Sequence, residues 1–97
     1  MAANGVRGEV SVLMAGTRRR LCLTLGALAE IETQLGCEGL DALCERMRAL
    51  SAQDLLTVLG ALLRGGGEAD LAARLSEAPI DPREAAEAVA KAFAAAS

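Results

Sequence analysis

The sequence has no histidine, tryptophan or tyrosine, and Phe93 is its single aromatic residue. Without histidine it lacks the usual general base near neutral pH and the commonest zinc ligand. Carboxylates, hydroxyls and thiols remain, and none stands beside an evident activator. We therefore read no catalytic residue, no cofactor and no metal site. Missing aromatics leave nothing to stack on bases, and Lys91 is the only lysine. With a net charge of −3, no nucleic-acid partner is expected. Cys22, Cys37 and Cys44 are an odd set without CxxC spacing, so a reducing compartment fits better than a disulfide framework. No apolar run approaches the length of a membrane span. The stretch MAANGVRGEV lacks the apolar centre of a signal peptide. A cytoplasmic protein with no membrane partner is expected.

What is present is lopsided. Apolar residues make up 53% of the 97 residues, mostly leucine and alanine, which favours helix. The length fits one domain. Charge is uneven: residues 1–20 hold four arginines and one glutamate, leaving 10 − 4 = 6 basic and 13 − 1 = 12 acidic groups for residues 21–97. A basic front end on an acidic body points to a charged partner surface or to internal pairing.

Residues 1–7 read as a flexible tail. From 8 to 24 the chain reads as a β-hairpin. Val10, Val12 and Met14 alternate with Ser11 and Leu13, Leu21 and Leu23 alternate with Arg20 and Cys22, and Ala15-Gly16 supplies the turn. Residues 25–97 read as helical. Thr24 can cap a helix over 25–35 that Gly36 ends, with Leu28, Ile31 and Leu35 as its stripe. A second helix over 40–50 has one apolar face, Leu40, Leu43, Cys44, Met47 and Leu50. Ser51 and Asp54 form a capping box for a third helix, which should be the most buried. Gly65-Gly66-Gly67 reads as a flexible joint. A short fourth helix over 68–78 follows. Asp81 and Pro82 start the last helix, whose face includes Ala85, Ala86, Val89, Ala92 and Phe93. The whole is α+β: an N-terminal hairpin packed on a small bundle of four to five short helices.

Glu30 and Glu32 are the nearest thing to an acid pair. Two residues apart on a helix they point roughly 200° apart, so they cannot converge on one atom. Glu30 should face water, and Glu32 sits at the edge of the apolar stripe. Glu32 wants a partner there, and Arg18-Arg19-Arg20 on the preceding strand is the nearest basic run. A Glu32–arginine contact is the expected structural tie. Arg18, Arg19 and Arg20 could form a partner-binding rim or a solvated strand. The faces around Glu30, Val89 and Phe93 are the other candidate partner surfaces. Cys44 and Cys22 read as small core residues, and Cys37 as the most exposed thiol.

Taken in order, GEVSVLMAG, LTLGALAEIETQLG, an amphipathic helix and SAQDLLTVLGALLRGGG resemble a small protein encoded among the tail genes of gene transfer agents and tailed phages. The resemblance covers residues 8–90. Members are often labelled tail tube proteins but fit better as tail assembly chaperones. One departure is Gly26, where a bulkier residue or proline is expected; it weakens the first helical turn. The resemblance implies a non-enzymatic chaperone that binds the tape measure protein, and other tail proteins, during tube assembly. A homo-oligomer is compatible with it. Two other readings stay open: a structural subunit of the tail or tube, and a small regulatory nucleic-acid-binding module using the arginine strand.

Overall fold

The computed structural model describes residues 8–96, apart from the side chain of Leu40. The expected tail over 1–7 and the place of Leu40 on its helix face therefore lie outside the described residues. Strand β1 (Glu9–Met14) pairs antiparallel with β2 (Thr17–Cys22), with Met14 opposite Thr17. Ala15 and Gly16 both have positive φ, 53° and 79°, as a type I′ hairpin turn requires. The alternation is as read: Val12 and Met14 are buried while Leu13 is 59% exposed.

Helix α1 (Leu25–Leu35) begins where Thr24 Oγ1 accepts the Ala27 N–H at 3.0 Å, and ends at Gly36 with φ 69°. Gly26 does not delay its start, because the Thr24 cap satisfies the first turn. Helix α2 (Gly39–Met47) is shorter than its pattern; the chain leaves it three residues before Leu50. Helix α3 (Ala52–Gly65) starts with the full Ser51–Asp54 capping box. Six consecutive residues, Val58 to Leu63, are buried, so α3 is enclosed on all sides over that stretch. A five-residue α4 (Ala69–Ala73) and a 3₁₀ turn (Leu75–Glu77) take the place of one fourth helix. Helix α5 (Pro82–Ala96) is capped by Asp81, whose Oδ1 accepts the Arg83 N–H at 2.8 Å.

The architecture is the expected α+β fold. β2 and α5 lie against α3, and α5 also covers β1. One buried cluster runs through the molecule. Met14 and Leu21 come from the hairpin, Ile31 from α1, Leu43 from α2, Leu59 and Leu62 from α3, and Val89 and Ala92 from α5.

The triple glycine is not a flexible joint. α3 runs through Gly65, and Gly66 is buried. A Cβ on Gly65 would collide with the Cys22 carbonyl oxygen, and one on Gly66 with that of Arg20. These glycines let the end of α3 lie directly on the β2 backbone. Periodicity cannot reveal such a contact, because it depends on an element distant in sequence.

Candidate functional site

The arginine strand is largely committed to internal pairing. Glu68, just after the glycine turn, receives the Arg20 backbone N–H at 3.1 Å and Arg19 Nη1 at 3.3 Å, with Arg20 Nε at 3.6 Å. Arg19 is mostly buried, and its Nε has no hydrogen-bond partner. Arg18 donates to the Ser11 carbonyl at 3.4 Å. It borders a mixed-charge cleft with Glu84, Glu87 and Lys91. Two of the three cations thus help hold the hairpin to the helical part, while the Arg18 and Arg20 side chains stay exposed.

The two glutamates of α1 also differ from expectation. Glu32 does not meet the arginine strand. Its Oε2 accepts the Gly39 N–H at 3.2 Å, at the start of α2. Glu30 is not simply solvated; its carboxylate forms a two-point ion pair with Arg64 of α3. The helical wheel separates the two correctly, but their partners sit on elements whose placement the wheel does not contain.

Burial opposes the charged form of Asp54, but the Arg46 hydrogen bond, the Ser51 N–H and the Arg46 charge outweigh it. They hold its carboxyl below the ordinary 3.8. The Arg20 N–H is the largest influence on Glu68. Burial opposes it, while the Arg19 hydrogen bond and both arginine charges assist, and its carboxyl lies below the ordinary 4.5. A depressed folded-state value adds stability above the unfolded value, which is lost as pH falls through the folded one. Thermal melts of wild type and Glu68→Gln should therefore differ most near pH 6. The gap should close as pH drops below 4.5, because only the wild type loses the Glu68 charge.

The thiols fall in a different order from the one expected. Cys22 is buried as read, but Cys44 is exposed and Cys37 half-buried. The buried side of α2 centres on Leu43, and the next residue turns roughly 100° away. Burial, then the Glu9 charge, pushes the Cys22 thiol above its ordinary 9.0, which suppresses the reactive thiolate. Under native conditions N-ethylmaleimide should modify Cys44 first, Cys37 more slowly and Cys22 only on unfolding. Peptide mass spectrometry over a time course reads that order.

Val89 and Phe93 do come together in a site. They line an open groove of about 470 Å³ between α2, α3 and α5. Cys44 and Met47 form its α2 wall, Leu50 and Leu55 lie across its floor, and Ala86 and Ala90 complete the α5 side. From Ala86 to Phe93 the α5 wall runs about 10 Å. On the other side of Leu55 lies a second apolar recess of about 210 Å³, lined by Leu56, Leu59, Leu75 and Ile80. Neither Glu30 nor any of the three arginines lines the groove. Met47, Leu50 and Leu55 were legible as helix-face residues, but not as parts of one surface.

Among the described residues no cluster of side chains could hold a metal ion, and no helix is long and apolar enough to cross a membrane. Comparison with curated proteins and with solved structures finds no match. A family model described as "phage tail tube protein, GTA-gp10" matches residues 7–96, nearly the whole chain. The chain therefore belongs to this phage tail tube protein, GTA-gp10 family, and is a tail-region protein of gene transfer agents and related phages.

Proposed function

We propose that this protein is a tail assembly chaperone. It holds an apolar helical stretch of the tape measure protein while tail tube subunits assemble. The observation that carries this reading is the open groove walled by α2 and α5. Apolar side chains line a shallow trough there, and Ala86 and Ala90 leave room for another backbone to come close. An amphipathic helix laid in such a trough buries one stripe and leaves the opposite side in water. A trough about two helical turns long gives modest affinity, which suits a partner that must later be released. The role is non-catalytic and cytoplasmic.

Co-expression with tape measure fragments tests it. The protein should co-purify with fragments carrying apolar helical stripes and be missing from purified particles. Recovery as a stoichiometric particle component, without tape measure capture, overturns the chaperone role.

A structural tail subunit is the second reading, favoured by the family's description. β1 has no second strand neighbour, and such an edge can pair with another chain, whereas the outer edge of β2 is covered by the end of α3 and by Glu68. The strands are only six residues long, which offers little to an inter-subunit barrel. The same particle analysis separates the two.

A further inference from the structure

We infer that α2 is a hinged gate over the groove, latched by Arg46, and that an incoming helix enters by lifting it. This rests on the chaperone reading for the identity of the helix, but not for the motion of α2.

α2 is held differently from every other long helix in the fold. Leu43 is its one buried side chain among the described residues, whereas α3 buries six consecutive residues and α5 buries four. Its N-cap residue, Glu38, makes no capping bond, and the Gly39 N–H is met instead by Glu32 from the preceding helix. The segment entering it has two positive-φ glycines, Gly36 and Gly39, with open space where a Cβ would stand. The segment leaving it keeps only Arg48 N–H to Glu45 and Ala49 N–H to Arg46 before the next helix is capped. Few buried contacts between two permissive ends mark a segment that opens locally, well before the whole fold does.

One side chain closes that opening. Arg46 donates from Nε and Nη2 to the two carboxylate oxygens of Asp54, at 3.1 and 3.0 Å. Its Nη1 reaches the Leu35 carbonyl at 3.0 Å. A single guanidinium thus ties α2 to the carbonyl end of α1 and to the capping box of α3. A planar fork suits this three-point hold, and an ammonium cannot reproduce it. Among the described residues, the other polar tie is Glu32 to the Gly39 N–H, at the hinge itself.

The groove makes the motion useful. Cys44 and Met47 are its α2 wall. Lifting α2 removes that wall and joins the vacated seat of Leu43 to the apolar floor formed by Leu50, Leu55 and Val89. Helix α2 is then an internal stand-in for the ligand: a short helix with one apolar face, whose fully buried side chain among the described residues is Leu43.

Amide hydrogen exchange on the full-length protein tests this. In the wild type, residues 41–47 should exchange at least tenfold faster than residues 58–63. Arg46→Ala should accelerate 41–47 by a further tenfold or so, with α3 and α5 unchanged, and Arg46→Lys should fall between. The Ala variant should also brighten 1-anilinonaphthalene-8-sulfonate several-fold at unchanged helical circular dichroism. The same variant should associate several-fold faster with a tape measure fragment. Equal exchange in α2 and α3, or acceleration of all helices together, overturns the gate. Faster α2 exchange with no gain in dye binding also overturns it. If no tape measure fragment binds even the wild type, the chaperone reading fails, while exchange and dye binding still decide the gate.

Discussion

Gly66→Ala should destabilise the fold by about 3 kcal/mol, toward the upper end of overpacking costs. For a domain of this size that corresponds to a fall in melting temperature of roughly 12–24 °C. The cause is steric and not conformational. Gly66 has φ −90°, which any residue adopts. Its missing Cβ would run into the Arg20 carbonyl and lie 3.0 Å from the Leu21 nitrogen. Both are backbone atoms of β2, so no rotamer change relieves the clash. Relief needs either the strand or the end of α3 to move, and each is fixed by the core around Leu21 and Leu62. Gly67→Ala is the control. There φ is +84° and the nearest atom, Arg20 Nη2 at 3.5 Å, is the tip of a flexible side chain. Its cost should be the left-handed strain alone, about 1–2 kcal/mol. Circular dichroism melts of the two variants decide the matter. A Gly66→Ala protein as stable as wild type would mean that α3 does not rest on β2.

Ala90→Glu should weaken capture of a tape measure fragment at least tenfold, or by about 1.4 kcal/mol, at nearly unchanged stability. Ala90 is exposed and lines the groove beside Val89 and Phe93. Glutamate is a good helix former, so α5 should tolerate it. A carboxylate in the trough must lose water when an apolar stripe settles on it, and nothing in the wall compensates. Ala94→Glu, one turn further along α5, is also exposed but lies outside the groove lining. It should leave capture intact. Binding curves for both variants, with matched melting temperatures, give the result. Equal losses, or none, would place the binding surface elsewhere.

Local chemistry was legible in the sequence, and pairing between distant elements was not. Thr24, Ser51, Asp54, Asp81 and Pro82 each announced a helix start, because a cap is settled within three residues of itself. Ala15-Gly16 announced the hairpin for the same reason. Cys44 was misread because the described residues of α2 that face the core are Leu43 and, partly, Met47, which leaves Cys44 outside as a groove wall. The glycine run was misread because a hinge and a close-approach site look alike until the opposing strand is known. Glu32 was read as needing a partner, Glu30 as facing water, and Arg19 and Arg20 as a rim or a solvated strand. Their partners, Arg64, the Gly39 N–H and Glu68, are fixed by how α1, α3 and the hairpin come together. The groove belongs to the same class: its walls are on three helices, and only Val89 and Phe93 were named as a candidate surface beforehand.

The placement of α5 against β1 has a consequence for biosynthesis. Gly8, just before the first strand, would meet Ala96 at 3.3 Å if it carried a Cβ, so the two ends of the described chain lie side by side. During translation β1 emerges well before α5, the helix that covers it. Met14, Val12 and Leu62 cannot all be sealed until α5 has left the ribosome. Each nascent copy therefore carries an open apolar face until α5 emerges. Closure follows in one late step, as expected where the decisive contacts span nearly the whole chain.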